Sequence, residues 1–378
     1  MDKMDISKFV GDERPNVEEI EGMELFYNEM INRWCYRPNI GYSDKFVSLK
    51  NLVPQNDKNN VKKKRNIDSA KSNKDDEFYT RFDDISAELH HYKEFFKDKI
   101  VYCPCDKAFN KGRSEFVNYF IKVFKFWGIK ELIYTQYNPN GRGYFWTINL
   151  GNINDGELMD EHDIDTYLLD GNGDFCSQEC IDIMKKCDIV VTNPPFSLFR
   201  KFVAQLMELN KHFLIIGNKN AITYKEIYPL IKDNKIWLGY TSPSGFIQPD
   251  WSEEIKNLSG LTRWFTNLPH KKRLNDKIPI WKTYSPDKYF TYDNYEEAIE
   301  CGHFKAEDNE KIKGNWVGSV DDIPVYDGIM GVPITFLDVY NPNQFEIIGF
   351  RKGKDGKDLT FHGYSPYFRI LIKAKKDS

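Results

Sequence analysis

One short stretch, residues 188–196, constrains the fold of this chain more than any other. Its β-branched run, Ile-Val-Val at 189–191, stops at Asn193 and two prolines, Pro194 and Pro195. A continuous apolar run of this length is typical of a strand that is buried in a parallel sheet. Two adjacent prolines remove two backbone donors and fix two φ angles, so the loop after the strand is stiff. Because ligands of open α/β sheets bind at the carboxyl ends of strands, this loop is a candidate functional site.

The residues of this loop suit an acceptor that carries an exocyclic amino group. The Asn193 side chain and the Pro194 backbone each offer a carbonyl that accepts a hydrogen bond, and Phe196 offers a ring for stacking. Two acceptors hold the amino nitrogen and draw it towards tetrahedral geometry, which frees its lone pair for attack on a methyl donor. A base inside a duplex cannot reach such a loop unless it is flipped out. The alternative is an ordinary proline-rich turn, but a buried strand before the loop and an amphipathic helix after it favour the functional interpretation.

Composition excludes several classes of protein. The chain has 378 residues, of which 40% are hydrophobic, and a net charge of −4, which indicates a globular protein with a large core and two or three domains. No apolar run approaches the length of a membrane span and the first residues are not a signal peptide, so we expect no membrane association and a cytoplasmic location. The mild acidity argues against a nonspecific polyanion binder but not against a sequence-specific one. The seven cysteines lack the paired spacing of a zinc site, so we expect reduced thiols and no metal.

Residues 77–240 alternate between predicted strands and predicted helices. Predicted strands cover 100–103, 132–135, 167–169, 189–193, 212–217 and 236–239, and predicted helices cover 77–96, 114–127, 177–186, 198–210 and 221–232. Residues 137–165 are rich in Gly, Asn and Asp and interrupt the rhythm as an insertion with a hairpin at 144–148. This alternation predicts a doubly wound α/β sheet with crossover helices.

Changes in composition divide the rest of the chain. Residues 1–55 are an N-terminal extension of unknown role, in which 16–34 have the apolar spacing of a helix. Residues 56–76 are rich in lysine and are more typical of a linker than of an arm that touches phosphates. Residues 77–240 form the domain that carries the loop. Beyond it, residues 241–378 are rich in Trp, Tyr and turns, and we interpret them as a separate recognition region.

Two further loops are candidates for a cofactor site. After the third predicted strand, Asp174 can accept from the amino group of an adenine ring and Phe175 can pack against that ring, although Asp174 also fits an ordinary turn. After the first strand, the stretch from Cys103 to Asp106 is expected to face the methionyl-ribose part of the cofactor. Asp106 can bind the ribose or the ammonium group there, or it can merely cap the next helix.

Together these residues resemble the EcoRI-type family of adenine-specific DNA methyltransferases, over roughly residues 75–369. The resemblance rests on seven segments in a fixed order: Asp-Glu-Phe-Tyr-Thr at 76–80, Cys-Pro-Cys-Asp at 103–106, Gly-Asp-Phe at 173–175, Val-Val-Thr-Asn-Pro-Pro-Phe-Ser-Leu-Phe at 190–199, Leu-Ile-Ile-Gly-Asn at 214–218, Trp-Phe-Thr-Asn at 264–267 and Met-Gly-Val-Pro-Ile-Thr-Phe at 330–336. It implies a doubly wound, Rossmann-like methyltransferase sheet with a C-terminal mixed α+β target-recognition region. It also implies methyl transfer from S-adenosyl-L-methionine to N6 of an adenine in double-stranded DNA, without a metal.

The resemblance also implies roles for individual residues. It implies that Asn193, Pro194, Pro195 and Phe196 form the catalytic site and lie at the flipped base. It implies a cofactor site of Phe78, Tyr79, Thr80, Cys103, Pro104, Cys105, Asp106, Asp174, Phe175 and Asn193, in which 78–80 lie against the methionyl end. The chain departs from the wider methyltransferase pattern in two places: Pro-Cys-Asp-Lys at 104–107 replaces the Gly-rich turn after strand one, and Thr-Gln-Tyr at 135–137 replaces the acid after strand two.

Four basic residues in the recognition region are candidates for DNA contact, with a solvated loop as the alternative for each: Arg263, Lys271, Lys272 and Arg273. Other functions stay open from the residues alone. The same type of loop serves RNA adenine and protein glutamine amides, and the missing Gly-rich turn also fits a catalytically silent DNA-binding protein on the same scaffold. The sequence leaves open the recognition sequence, the oligomeric state and whether a restriction endonuclease accompanies the protein.

Overall fold

The computed structural model of this protein describes most of the chain from residue 79 onward and three short segments before it. The described residues are 19–20, 23–28, 33–38, 79–105, 114–150, 165–247, 255–256, 260–280, 282–301, 323–363, 365–366 and 368–375. The chain divides into two compact units, one of Met1–Asn73 with Lys107–Arg113 and one of Lys74–Asp106 with Ser114–Ser378. The lysine-rich segment 56–76 lies outside the described residues.

In the first unit, three strands form an antiparallel sheet: β1 (Glu19–Ile20), β2 (Met23–Asn28) and β3 (Arg33–Pro38). The helix predicted over 16–34 is therefore wrong. Helical spacing of apolar residues was present, but aromatic residues such as Phe26, Tyr27 and Trp34 favour strands, and pairing of β2 with β3 satisfies the backbone.

The second unit contains the remaining strands and all the described helices. Its strands are β4 (Tyr79–Thr80), β5 (Ile100–Cys103), β6 (Glu131–Gln136), β7 (Tyr144–Asn149), β8 (Asp165–Leu168), β9 (Ile189–Thr192), β10 (His212–Asn218), β11 (Trp237–Leu238), β12 (Phe246–Ile247), β13 (Ile255–Lys256), β14 (Thr262–Thr266), β15 (Lys282–Thr283), β16 (Thr291–Tyr292), β17 (Tyr295–Glu300), β18 (Pro324–Val325), β19 (Ile329–Pro333), β20 (Phe345–Phe350) and β21 (Arg369–Ala374). Its α-helices are α1 (Phe82–Leu89), α2 (Glu115–Trp127), α3 (Gln178–Lys186), α4 (Phe199–Glu208), α5 (Tyr228–Lys232) and α6 (Lys271–Leu274). Short 3-10 helices cover His90–Phe95, Phe196–Leu198, Lys219–Thr223 and Ile334–Asp338. None of the described helices is both long and apolar enough to cross a membrane.

A mixed eight-stranded sheet dominates this unit, with the strand order β11-β14-β10-β9-β5-β6-β7-β8. Its four central strands, β10, β9, β5 and β6, are parallel to one another. The flanking strands β14 and β7 are antiparallel to their neighbours on both sides. The chain goes from β5 to β6 on one side and from β9 to β10 on the other, so the strand order reverses between β5 and β9. The protein is thus a mixed α/β fold, and a reversal of this kind is where open α/β sheets bind ligands.

Two segments enter this sheet where the sequence did not predict them. Residues 144–148, predicted as a hairpin in an insertion, belong to β7 and lie between β6 and β8. The predicted end of the sheet near Tyr240 does not coincide with the observed one, because β14 is buried along its whole length between β10 and β11. A single antiparallel strand that returns after a change in composition gives no periodic signal in the sequence.

Three further sheets are formed by described strands of the second unit. Strand β4 pairs with β12, and β12 pairs with β13. In the C-terminal part, β15 pairs with β18, and five strands form a sheet in the order β16-β17-β19-β21-β20.

Helix boundaries show which local signals worked. Helix α2 begins after Ser114, whose hydroxyl accepts from the Val117 amide at 3.4 Å, and ends at Gly128 with φ 65°, as predicted. Helix α1 begins later than predicted, after Arg81, which makes no side-chain capping hydrogen bond. The helix predicted over 221–232 is divided into a 3-10 helix and α5, which has a proline in its first turn.

Candidate active site

The predicted target loop occupies the carboxyl end of β9. All residues of β9 are buried, and the strand gives way at Asn193 to a buried Pro194 and a half-buried Pro195. A 3-10 helix then begins at Phe196, whose ring is half-buried, and leads directly into α4. The loop thus lies at the carboxyl end of β9, and its two prolines fix two of its φ angles.

The loop after β5 lies directly beside the target loop. Tyr102 pairs with Val190 in the parallel register of β5 and β9. Beyond the paired residues, the Thr192 hydroxyl donates a hydrogen bond to the Pro104 carbonyl. The structure thus brings the predicted cofactor residues Cys103, which is buried, and Pro104 next to the predicted catalytic loop.

Cys105 explains how the chain turns without the expected Gly-rich sequence. Its φ is 69°, in the left-handed region that glycine adopts more easily. A non-glycine residue in this region carries strain, which is common at ligand-binding loops. Asp106, which follows it, lies outside the described residues.

The loop between β8 and α3 carries the predicted adenine-binding residues. The Asp174 side chain is exposed, and its Oδ1 accepts from the Cys176 amide at 2.9 Å. Phe175 is buried edge-to-face against Phe202 of α4, with 5.0 Å between ring centroids, and its carbonyl accepts from Gln205 Nε2 at 3.0 Å. The helix that follows the target loop therefore holds the loop that carries Asp174.

Two features that the sequence analysis did not predict hold the loop between β8 and α3 in place. The Glu179 carboxylate accepts from the amides of Asp170 at 3.0 Å and Gly171 at 3.1 Å. Gly173 has φ 80°, and a Cβ at this position would lie 2.5 Å from the Gln136 carbonyl oxygen at the end of β6. The loop is thus pressed against the edge of the sheet at a point where only glycine fits. The acid in the first turn of α3 was visible in the sequence, but its partners were not.

The segment before α1 lies partly within the described residues. Phe78 is outside them, and of Tyr79 only the backbone, in β4, is described. Thr80 is buried and pairs with Phe246 of β12. Its hydroxyl is buried and has no hydrogen-bond partner among the residues that the structure describes. A buried hydroxyl in this state costs free energy unless a ligand or water satisfies it.

Two carboxylates of α1 fix the segment that leads to β12. Glu88 accepts from the amides of Tyr240 at 2.7 Å and Thr241 at 2.6 Å, and Asp84 accepts from the Ser244 hydroxyl at 2.8 Å. Burial raises the pKa of Glu88, and its hydrogen bonds, first from Thr241, oppose that rise. These bonds place β12 beside β4, and so they hold Thr80 in position.

Two of the four predicted DNA contacts are inside the protein. Arg263 is buried and forms a two-point ion pair with Asp338, with Nε–Oδ1 2.7 Å and Nη2–Oδ2 3.0 Å. Arg273 is buried with its guanidinium over the rings of Trp237, at 4.5 Å, and Tyr340, at 5.2 Å, and burial lowers its pKa to about 10. Neither guanidinium is positioned to meet DNA, so the structure does not support these two contacts.

The other two basic residues reach the surface. Lys271 is exposed, and Lys272 is half-buried with its ammonium donating to the Tyr240 carbonyl at 3.2 Å. Only these two of the four remain candidates for contact with DNA.

Comparison with known proteins decides between the functions that the residues alone left open. Residues 66–375 match the family model described as adenine-specific methyltransferase EcoRI. The chain belongs to this family. It is an adenine-specific DNA methyltransferase, as predicted, and the family implies S-adenosylmethionine as the methyl donor.

Three relatives cover most of the chain. The Type II methyltransferase M.EcoRI of Escherichia coli is 44% identical over 335 residues, which are 82% of this chain and 96% of the relative. M.MpnI of Mycoplasma pneumoniae is 35% identical over 82% of this chain and 98% of the relative, and M.MgeORF184P of Mycoplasma genitalium is 31% identical over 81% and 98%. No solved structure matches the chain.

Residues of the candidate site fit the cofactor that the family implies. The exposed Asp174 carboxylate can accept from an adenine amino group, and Gly173 lets the backbone lie close to the end of β6. The buried hydroxyl of Thr80 lacks a partner among the described residues, so it can bond a polar group of the methionyl end.

Proposed function

We propose that this methyltransferase transfers a methyl group to N6 of an adenine that is flipped out of duplex DNA at a specific sequence. The observation that carries the proposal is the hydrogen bond from Thr192 to Pro104. It joins the target loop after β9 to the cofactor loop after β5 at the point where the strand order reverses. A methyl donor on one loop and an acceptor on the other would meet at this edge.

The proposed scaffold is a doubly wound, Rossmann-like sheet. Adjacent residues of a strand point to opposite faces of the sheet. On β14, Trp264 contacts Phe116 of α2 at 6.0 Å between ring centroids, and the next residue, Phe265, contacts Phe199 of α4 at 5.0 Å. Helices α2 and α4 therefore cover opposite faces, which supports the double winding. We further propose that residues 241–378, apart from β14, recognise the target sequence.

Four residues of the target loop would act on the flipped base. Asn193 Oδ1 and the Pro194 carbonyl would accept from the two N6 hydrogens, Phe196 would stack on the ring, and Pro195 would keep the loop stiff. When bound, S-adenosylmethionine supplies a methyl group on a sulfonium. The amino nitrogen held by these residues would take the methyl group as its bond to sulfur broke, and N6 would release one proton to water. Positioning supplies most of the rate in such a displacement.

The cofactor would lie along β4, β5 and β8. Asp174 and Phe175 would hold the adenine ring. The last residue of β5, Cys103, and the residues that follow it, Pro104, Cys105 and Asp106, would face the ribose and the methionyl group. Phe78, Tyr79 and Thr80 would lie against the methionyl end. Lys271 and Lys272 would contact DNA.

In the cell, the protein would act in the cytoplasm as the modification enzyme of a restriction-modification system. The names of its relatives, Type II methyltransferases, support this role. A companion restriction endonuclease with the same recognition sequence would then accompany it.

The acceptor can be tested by label transfer. The purified protein is incubated with S-adenosylmethionine labelled in the methyl group and, separately, with duplex DNA of mixed sequence, RNA of the same sequence and a glutamine-containing peptide. We expect label on DNA alone, and recovery of the label as N6-methyladenine after digestion. Label on the RNA or on the peptide instead would overturn the proposed acceptor.

A further inference from the structure

Lys219 lies at the same edge of the sheet as the target loop, on the side away from the cofactor loops. It follows β10, whose residue Ile215 pairs with Thr192 in the parallel register of β10 and β9. The two loops of this sheet that are predicted to hold the cofactor follow β5 and β8, which lie on the other side of β9 in the strand order. A group bound at Lys219 would therefore approach the target loop from the side opposite to these two loops.

The backbone of Lys219 is fixed in this place. Its amide donates to the Leu261 carbonyl at 2.7 Å, at the start of β14. The residue before it, Asn218, caps the following 3-10 helix, because its Oδ1 accepts from the Asn220 amide at 2.8 Å. The side chain thus leaves the sheet from a rigid point rather than from a mobile loop.

The charge of Lys219 has no partner in the part of the chain that the structure describes. Its side chain is half-buried. Among the described residues, no carboxylate lies within ion-pair distance of its ammonium, and no acceptor forms a hydrogen bond with it. The neighbouring charges do not balance it, because Asp338 is bound at two points to Arg263. Burial lowers the pKa of Lys219, and the nearby Arg263 lowers it further, while Asp338 acts in the opposite direction. A bound anion would relieve this uncompensated charge.

We propose that Lys219 binds a backbone phosphate of the DNA strand that carries the target adenine. This inference rests on the proposed function, since it takes DNA as the substrate. Rotation of a nucleotide out of the duplex brings the phosphates beside it to the edge where the base enters, and Lys219 supplies a cation there.

The salt dependence of DNA binding tests this contact. The motif that the wild type methylates is first read from the genome of an expressing host. The affinity for a duplex that contains this motif is then measured by fluorescence anisotropy from low to moderate salt, for the wild type, Lys219→Ala, Lys219→Gln and Lys219→Arg. Loss of one phosphate contact on duplex DNA lowers the slope of log affinity against log salt by about 0.9. We expect this loss in Lys219→Ala and Lys219→Gln and recovery in Lys219→Arg, with equal affinity for S-adenosylmethionine in all four.

Lys225→Ala is the matched control. Lys225 lies shortly after Lys219 in the chain, is exposed and lies 3.9 Å from Glu226, so its removal should leave the slope unchanged. An unchanged slope in both Lys219→Ala and Lys219→Gln, with unchanged thermal unfolding, would overturn the contact. Weaker cofactor binding with an unchanged DNA slope would assign Lys219 to the cofactor instead and would also overturn it. Wild-type protein that binds and methylates no DNA would instead show that the proposed function has failed.

Discussion

The Thr192 hydroxyl donates a hydrogen bond to the Pro104 carbonyl and thereby joins two neighbouring parallel strands just beyond their last paired residues. Both groups are buried, so water cannot replace the bond. Strands β5 and β9 part at this point, because the chain continues from them in opposite directions along the sheet. The bond therefore sets the spacing between the proposed cofactor loop and the proposed target loop.

Thr192→Val should separate these two loops. Valine keeps the shape of threonine but has no hydroxyl, so the Pro104 carbonyl would stay buried without a donor, at a cost of about 1 to 3 kcal/mol. We expect a lower unfolding midpoint and an affinity for S-adenosylmethionine weaker by about tenfold, measured by calorimetry. Thr192→Ser retains the hydroxyl and should stay near the wild type. Equal cofactor affinity in the valine and serine variants would show that the bond does not position the cofactor loop.

Glu179→Gln should weaken cofactor binding through the loop that Glu179 holds, rather than through a contact between Glu179 and the cofactor. The carboxylate accepts one hydrogen bond from Asp170 and one from Gly171, whereas the single carbonyl oxygen of glutamine cannot reach both amides in the same way. We expect the affinity for S-adenosylmethionine to fall about five- to tenfold, which corresponds to about 1 kcal/mol.

Asp182→Asn is the control for this variant. Asp182 lies on the same helix, is exposed and accepts from Lys185 at 2.8 Å, so its change should leave the affinity as it is. The same loss in both variants would indicate a general effect of charge on α3 rather than support of the loop.

His270 should make the fold sensitive to mild acid. Burial is the main reason that its pKa is lowered to about 4, although the hydrogen bond to the Leu238 carbonyl acts in the opposite direction. An unfolded histidine has a pKa near 6.5, so between pH 6.5 and pH 4 the unfolded chain binds a proton that the folded chain does not. Stability from this group is therefore complete above pH 6.5 and falls as the pH approaches 4, by about 1 to 3 kcal/mol.

Urea unfolding of the wild type and of His270→Gln at several values between pH 7.5 and pH 5 measures this contribution. Other groups titrate in the same range, so the informative quantity is the difference between the two proteins. The wild type should lose more free energy of unfolding than the variant as the pH falls. Parallel curves for the two proteins would show that His270 does not titrate differently on folding.

Local signals in the sequence predicted the centre of the fold. The apolar run before Asn193 predicted β9, and the apolar pattern over 114–127 predicted α2, because such patterns are set by residues close together in the chain. Strand β14 was missed because its place depends on pairing with β10 and β11, which is not visible in its own residues.

Some residues of the candidate site could likewise be proposed from the sequence, whereas the roles of others depend on partners far away in the chain. Asn193 and Asp174 could be proposed from their positions after predicted strands, and the structure leaves both at the edge of the sheet. Arg263 was proposed as a DNA contact because its ion pair is not visible in the sequence: its partner, Asp338, lies 75 residues later in the chain. Glu179 was visible as an acid at a helix start, but the two amides that it holds become its neighbours only in the folded chain.

The central claim is that Asn193 acts on a flipped adenine in DNA at one sequence. Its most direct test is long-read sequencing of genomic DNA from a methylation-free host that expresses the wild type or Asn193→Ala, together with calorimetry of each purified protein with S-adenosylmethionine. The account predicts N6-methyladenine at a single motif with the wild type, none with the variant and similar cofactor affinity in both. Methylated motifs that persist in Asn193→Ala would contradict the role of this residue. A wild-type protein that binds the cofactor but leaves the genome unmodified would contradict the proposed acceptor.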